Sequence, residues 1–331
     1  MIVDSHAHTV FPEGVQGYMA DLVASRANPT AGPRKPITDE ALHAATSGHV
    51  ANMTRVGTDV QFISPRPFAQ MHSLRPAKVT QLWTRFNNDL IHRQCAMFPD
   101  RLKGVAGLPQ FRDSSPANCV EELERCVTEL GFVGCLLNPD PMEGEGEPPP
   151  GLGDEFWYPL YEKLVALDVP ALIHSAGSAS PRESYTLKFI NEESIAVVSL
   201  LESRVFEDFP TLKIVVSHGG GAIPYQIGRF RSWAIRRKQA DSFDDRLRKL
   251  YFDTCLYSQD ALELLFRTVG VDNCLFGTER PGTGSAFNPD WNHDFDDLKP
   301  VIEGIGFLSA EDRHKIFEGN ARHVYAKAFA R

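Results

Sequence analysis

The chain has 331 residues, and 34 lysines and arginines against 43 aspartates and glutamates give a formal net charge of −9 at pH 7. Hydrophobic residues make up 42% of the chain and charged residues 23%. This balance is typical of a globular protein with a large core and excludes disordered, collagen-like and disulfide-scaffold proteins. Because the chain is acidic and has no long lysine or arginine block, we expect neither nucleic acid nor a membrane surface as a partner.

Short apolar runs alternate with segments of helical periodicity along the whole chain. The predicted strands are Ile2–Asp4, Val60–Ser64, Leu102–Leu108, Phe132–Leu137, Pro170–Ile173, Leu212–Ser217, Tyr251–Thr254 and Cys274–Gly277. The predicted helices cover residues 38–56, 77–98, 115–130, 155–167, 191–207, 221–239, 258–269 and 293–304. Eight strands that are each followed by a helix indicate an α/β fold, a (β/α)8 barrel of the TIM type. A C-terminal helix over 309–327 follows, with a capping-box pattern at its start.

Two segments interrupt this alternation, and both follow predicted strands. Residues 11–37 form an insertion after strand 1, and residues 138–153 are too rich in proline and glycine for regular structure. On a barrel, both segments are expected over the C-terminal face, where substrate loops lie. We expect one barrel domain over residues 1–331, and the sequence leaves open whether 138–153 closes over a ligand.

The six cysteines contain no Cys-x-x-Cys pair, which in a chain of this length indicates reduced thiols. The first residues lack the basic and apolar pattern of a signal peptide, and no stretch approaches the roughly 20 apolar residues of a membrane helix. These features predict a cytoplasmic protein.

A pair of histidines at the end of strand 1 is the first sign of chemistry. In the sequence Asp4-Ser5-His6-Ala7-His8, strand alternation projects His6 and His8 to the same side. Imidazole is the commonest side-chain ligand of zinc and similar metals. At the mouth of a barrel strand, this pair predicts a metal site.

Three further polar residues follow later strands. His174 ends strand 5, His218 precedes three glycines after strand 6, and Glu279 follows strand 8. Taken singly, His174 is more readily explained as a core or rim residue and Glu279 as a surface residue. Because the C-terminal ends of barrel strands meet at the face that carries catalysis, the four sites together predict a metal-dependent active site.

These motifs resemble those of the amidohydrolase superfamily, in the branch of metal-dependent decarboxylases and hydratases acting on carboxylated ring-cleavage products. The resemblance covers residues 1–328. Within this branch the chain is most similar to the hydratases of 4-oxalomesaconate, which share glutamate at position 279 where most of the superfamily has aspartate. The segments that carry this similarity are 64–66, 137–141, 157–163, 218–225, 252–257 and 318–322. The acidic segment 142–150 departs from the hydratase pattern.

The resemblance implies a ligand set for one divalent metal ion. Its members are His6, His8, His174 and Glu279. Three imidazoles and a carboxylate suit zinc and also accept manganese.

The resemblance also assigns catalytic roles to His218, Glu279 and Glu193. Glu193 has an alternative reading as a carboxylate in the solvated first turn of a helix, where the helix dipole favours it. Arg66, whose guanidinium suits carboxylates, is predicted to bind substrate, and Asn138 and Tyr257 are predicted to add hydrogen bonds.

The implied activity is a hydratase of aromatic-compound degradation, which adds water across the C=C bond of an unsaturated keto or enol di- or tricarboxylate. Non-oxidative decarboxylation of an aromatic or muconate-type acid and metal-dependent hydrolysis stay open, because the same residues serve all three. A barrel that binds metal or small acids without catalysis is a fourth possibility. We expect a homo-oligomer that binds a small carboxylated molecule.

Overall fold

Eight parallel strands form the centre of the molecule in a computed structural model, which describes residues 1–28 and 32–330. They are β1 (Val3–His8), β2 (Val60–Ser64), β3 (Leu102–Ala106), β4 (Gly134–Leu137), β5 (Ala171–Ile173), β6 (Ile214–Val216), β7 (Tyr251–Asp253) and β8 (Cys274–Leu275), paired in sequence order. The chain after β8 returns to β1, where the Ser5 amide donates to the Phe276 carbonyl at 2.8 Å and the Glu279 amide to the His6 carbonyl at 2.7 Å. The predicted (β/α)8 barrel is confirmed.

Helices surround the strands. They are α1 (Gly14–Ser25), α2 (Asp39–Val56), α3 (Ala77–Met97), α4 (Val120–Thr128), α5 (Tyr158–Leu167), α6 (Tyr185–Glu202), α7 (Val205–Asp208), α8 (Ile227–Arg236), α9 (Phe243–Leu247), α10 (Gln259–Val269), α11 (Lys299–Gly304), α12 (Ala310–His314) and α13 (Asn320–Val324). Strand residues such as Ile63, Leu137 and Ile173 share one buried apolar cluster with helix residues such as Leu160 and Leu200. Among the described residues, no helix combines the length and the apolar character that crossing a membrane requires.

The segment 11–37 after β1 contains helix α1, which packs against α3. The two helices share a separate apolar cluster that includes Tyr18, Leu22, Val79 and Trp83. The ring centroids of Tyr18 and Trp83 lie 6.4 Å apart. Helix α1 is therefore anchored to the barrel by its own small core, and residues 29–31 of the predicted insertion lie outside the described residues.

The C-terminal segment closes the N-terminal end of the barrel. Inward-facing strand residues, including Val3, Phe62 and Leu275, form one buried cluster with Val324 and Tyr325. The Tyr325 ring lies 4.9 Å from that of Phe62.

The helix predicted over 309–327 is present with shorter bounds and an irregular middle. The backbone is helical from Ala310 to Val324, through α12, a π turn over Lys315–Gly319 and α13, and a 3-10 turn over Ala326–Phe329 follows. The capping box predicted at its start forms between Ser309 and Asp312. Phe317 packs in the outer core whereas Tyr325 packs inside the barrel, so this one segment contributes to two cores.

Three other predicted helices begin at different residues in the structure. Helix α6 begins at Tyr185 instead of 191, because the Ser184 side chain caps it by accepting from the Leu187 amide. Helix α8 begins at Ile227 instead of 221, because the glycines after His218 adopt positive φ.

The predicted helix 293–304 begins only at Lys299. Residues His293–Asp294 (β10) pair instead with Phe287–Asn288 (β9) in an antiparallel hairpin. Arg280 holds this hairpin by ion pairs to Asp294, at 3.0 Å, and to Asp296.

Candidate active site at the C-terminal end of the barrel

Three buried histidines meet at the C-terminal end of the barrel. His6 and His8 lie in β1 and His174 follows β5, and one ring nitrogen from each lies within 4.8 Å of the other two. In each ring the Nδ1 atom is already engaged: that of His6 lies 2.6 Å from Asp253 Oδ2, that of His8 lies 2.9 Å from Ser64 Oγ, and that of His174 lies 2.7 Å from the Ser175 carbonyl.

The Nε2 atoms of all three histidines are buried and have no hydrogen-bond partner among the described residues. The carboxylate and the carbonyl accept hydrogen bonds only, so Nδ1 of His6 and of His174 carries a hydrogen and Nε2 is the ring nitrogen left to bind a metal ion. Burial lowers the pKa of His8 and of His174 well below the usual value, which keeps both rings neutral. Unpartnered buried nitrogens are costly, and three imidazoles around one centre fit a divalent metal ion.

Glu279 brings a carboxylate to the same centre. Its Oε1 atom lies 3.9 Å from His174 Nε2 and 3.4 Å from His218 Nε2, and Tyr257 donates to its Oε2 atom at 2.5 Å. Burial raises its pKa, but His218, His174 and His6 more than offset this effect and hold the pKa well below the usual range. An ionised carboxylate therefore lies beside the histidine cluster, on the side of His174 and His218.

Asp253 is a site residue that sequence reasoning missed. It is fully buried, and besides contacting His6 it accepts from the amides of Gly219 and Cys255 at 3.2 and 3.1 Å. The side chain thus fixes the His6 ring and ties it to the loop after β6. Its position at the C-terminal end of β7 was the signal that could have found it.

His218 and Glu193 form a pair beside Glu279. The His218 Nδ1 atom lies 2.8 and 3.0 Å from the two carboxylate oxygens of Glu193, which is fully buried inside α6 and not in its first turn. Burial raises the pKa of Glu193 to about 7, partly offset by His218. Burial lowers the pKa of His218, but Glu193 and Glu279 raise it well above its usual value. The pair therefore shares a proton, and the second ring nitrogen of His218 faces Glu279.

The glycines after His218 permit a close approach between this loop and α6. A side-chain carbon at Gly221, which has a φ of 63°, would lie 2.5 Å from the Ile190 carbonyl in α6. Only glycine fits there, and this contact places His218 beside Glu193.

One cavity adjoins the centre, and a second contains Arg66. The first, of about 200 Å³, is lined by His218, Glu279, Tyr257, Phe189 and Cys255 among others. The second, of about 350 Å³, is lined by residues of α1 and α3 and by Arg66. Arg66 is half-buried and has no ion-pair partner within 4 Å among the described residues, which leaves its guanidinium available to an anion.

Asn138, a predicted substrate ligand, lines neither cavity. It is fully buried, and its amide side chain binds His72 Nδ1 at 2.9 Å and accepts from the Asp140 amide at 3.1 Å. The structure thus uses Asn138 within the wall of the barrel. The fold brings the other predicted site residues close together, and Tyr257 is oriented toward Glu279.

Comparisons with known proteins agree with this geometry. The Amidohydrolase family model matches residues 3–327. The 2-keto-4-carboxy-3-hexenedioate hydratase of Sphingobium sp. strain SYK-6 is 39% identical over 335 residues, which cover 100% of this chain and 98% of that protein. The gamma-resorcylate decarboxylase of Polaromonas sp. strain JS666 is 29% identical over 260 residues, covering 72% of this chain and 74% of that protein.

A solved structure extends the likeness to three dimensions. The 4-oxalomesaconate hydratase of Rhodopseudomonas palustris has a TM-score of 0.89 and 36% identity, covering 99% of this chain and 96% of that chain. This chain therefore belongs to the amidohydrolase family.

Proposed function

We propose that the protein is a metal-dependent hydro-lyase that adds water across the C=C bond of an unsaturated keto or enol di- or tricarboxylate such as 4-oxalomesaconate. The observation that carries this proposal is the convergence of three unpartnered imidazole nitrogens beside an ionised carboxylate and a proton-sharing pair. The full-length similarity to two hydratases supports the same reaction class.

His6, His8, His174 and Glu279 would hold one divalent cation. Three imidazole nitrogens and one carboxylate oxygen favour zinc, and manganese is the second choice. When bound, the cation would lower the pKa of a water molecule and polarise a substrate oxygen.

His218 is placed to move the proton that hydration requires. Hydration forms a C–O bond at one alkene carbon and a C–H bond at its neighbour, so a group must take a proton from water and another must be delivered to carbon. The His218 Nε2 atom faces both the cavity and Glu279, at 3.4 Å. Glu193 lies behind the ring and does not line the cavity, so we assign it the role of positioning His218 and sharing its proton.

Substrate recognition falls to Arg66 and to the apolar walls. A guanidinium binds a carboxylate through two parallel hydrogen bonds, and an arginine near the centre stabilises negative charge on the conjugated oxygen. Phe189 stacks on His218 with ring centroids 5.8 Å apart and an interplanar angle of 12°, which excludes bulk water from one face of the imidazole.

Non-oxidative decarboxylation is the second candidate, because a decarboxylase is among the relatives. The same cation site and the same proton-sharing pair would serve that reaction. The hydratases match this chain at higher identity and over nearly its whole length, which favours hydration.

The test is an incubation of metal-loaded protein with 4-oxalomesaconate, followed by NMR, mass spectrometry and measurement of released CO2. We expect a product heavier by one water, loss of the enone absorbance and no CO2. The His218→Asn variant, with metal content verified, should be inactive under the same conditions. Release of CO2 without addition of water would replace the hydratase by a decarboxylase.

We also propose that the protein is cytoplasmic and that it forms a homo-oligomer. All six cysteines are free thiols, which suits the reducing cytoplasm. Size-exclusion chromatography with light scattering tests the proposed homo-oligomer.

A further inference from the structure

A buried ion pair joins the loop after β4 to helix α6. Lys188 Nζ lies 2.6 Å from Asp140 Oδ2 and 3.2 Å from Glu192 Oε1, and the side chains of Lys188 and Asp140 are only 1% and 6% exposed. We call these three residues the clasp.

The Asp140 end of the clasp organises the loop backbone. Its Oδ1 atom accepts from the Met142 amide at 2.9 Å, and its Oδ2 atom accepts from the Gly144 amide at 2.7 Å in addition to Lys188. The loop is held again at Glu143, whose carbonyl accepts from the Ala179 amide at 2.6 Å and whose side chain accepts from Ser73. These hydrogen bonds hold the backbone of residues 138–146 in place in this structure.

The Lys188 end of the clasp lies on the helix that supports His218. Lys188 and Glu192 are four residues apart and face the loop, while the adjacent residues Phe189 and Glu193, also four apart, contact His218. Residues spaced by four lie on one face of a helix. Because a helix moves as a unit, a shift of Lys188 would displace both groups that contact His218.

The energetics of burial indicate that stability alone does not explain the clasp. A buried ion pair pays a desolvation cost that can exceed its Coulombic gain, and apolar residues of similar volume often stabilise as well or better. What such a pair does supply is a defined separation between two elements, and removal of one partner leaves the other charge buried and uncompensated.

We propose that Asp140 and Lys188 are positioning residues, whose ion pair sets where α6 holds Phe189 and Glu193 against His218 and thereby determines the turnover rate. The inference rests on the proposed function for its kinetic part only. Contacts through α6 carry the effect, because neither residue lines the cavity that contains His218.

The experiment compares Lys188→Met, Lys188→Arg and Asp140→Asn with the control Lys213→Met. Lys213 also forms an ion pair, with Asp168 at 2.7 Å, but its partner is 64% exposed. We expect Lys188→Met to lower kcat by roughly 10²-fold, the loss that a displacement of about 1 Å can cause, with KM changed by less than about twofold. Lys188→Arg should recover most of the turnover, and Lys213→Met should match the unaltered protein.

Hydrogen exchange supplies a readout that does not depend on the reaction. In Lys188→Met, the amides of 140–146 and of 185–193 should exchange faster, while those of β1 and β5 should not change. If Lys188→Met does not fold, Asp140→Asn carries the same expectations, because it keeps the side-chain volume.

Each remaining outcome is decisive. Unchanged exchange in a folded clasp variant would overturn the proposed connection, whatever the protein catalyses. Faster exchange with unchanged kcat, or an equal loss in Lys188→Arg and Lys188→Met, would reduce the clasp to a structural contact. Failure of the unaltered protein to hydrate the substrate would overturn the proposed function alone.

Discussion

The two ends of the barrel are both closed by side chains from distant parts of the chain, yet they differ in what is buried. At the N-terminal end, Phe62, Leu275, Val324 and their neighbours form an apolar cluster with Tyr325. At the C-terminal end, three imidazole nitrogens are buried with no partner in the part of the chain that the structure describes. An apolar cluster stabilises the fold, whereas unsatisfied polar atoms reduce stability and are retained where a ligand binds them. The difference indicates that stability depends on one end and chemistry on the other.

The largest expected effect is at the C-terminal end. His174→Ala should abolish stoichiometric metal binding and lower kcat/KM by more than about 10²-fold. Loss of a residue that only hydrogen-bonds to a metal ligand costs at most about 10²-fold. Metal analysis and steady-state kinetics test this, with thermal unfolding as a check on the fold. A variant that kept both metal and activity would end the assignment of this centre.

Removal of a buried ring at the N-terminal end of the barrel should instead destabilise the fold and leave metal binding and catalysis unchanged. Tyr325→Ala removes a fully buried ring and should cost about 3–5 kcal/mol of unfolding free energy, while the folded fraction keeps its metal content and kcat. Denaturant unfolding measures the loss. The control is Tyr325→Phe: the hydroxyl has no partner among the described residues, so its removal should not destabilise. Loss of metal binding in the folded Tyr325→Ala variant would contradict the division between the two ends.

His72 is a buried histidine near the active face, and both of its ring nitrogens are hydrogen-bonded. Its Nε2 donates to the Leu108 carbonyl at 3.0 Å, and burial lowers its pKa to about 4. Between pH 4 and 6.5 the unfolded chain therefore binds more protons than the folded one, so stability rises with pH across this window and is lost as pH falls. The loss attributable to His72 should be about 3 kcal/mol.

Denaturant unfolding at several pH values measures that loss. The unfolding free energy of His72→Gln should depend less steeply on pH than that of the unaltered protein, and substitution of the exposed His43 by asparagine should leave the slope unchanged. An equal dependence of unfolding free energy on pH in the His72 variant and the unaltered protein would show that His72 does not cause the loss of stability.

The smallest expected effect is at the proton-sharing pair. Glu193→Gln keeps the volume but removes the charge beside His218, and kcat should fall by up to roughly 10²-fold, the lower range for a general acid or base. Metal content should not change, which separates this variant from His174→Ala. Glu202→Gln, at the exposed end of the same helix, is the matched control, and equal kinetics in both variants would refute the role of Glu193.

The local pattern of the chain was sufficient for the barrel, and it indicated candidate site residues that the fold brings close together. Buried parallel strands appear as short apolar runs, and the C-terminal ends of those strands share one face, so His6, His174 and Glu279 were predicted together from widely separated positions. The boundaries of α6, α8 and α11 were not predicted correctly, because a cap at Ser184, positive φ at glycines and the ion pairs of Arg280 override helical periodicity.

Tertiary structure alone decided which polar groups are free to react. Asn138 and His218 both follow strands, but the fold satisfies the amide of the first with His72 and leaves Nε2 of the second facing Glu279. It also placed Asp253 behind His6, and Lys188 against Asp140. The sequence determined the order of the elements and the ends from which side chains project. Hydrogen-bond satisfaction, which depends on partners tens or hundreds of residues away, was set only when the barrel closed.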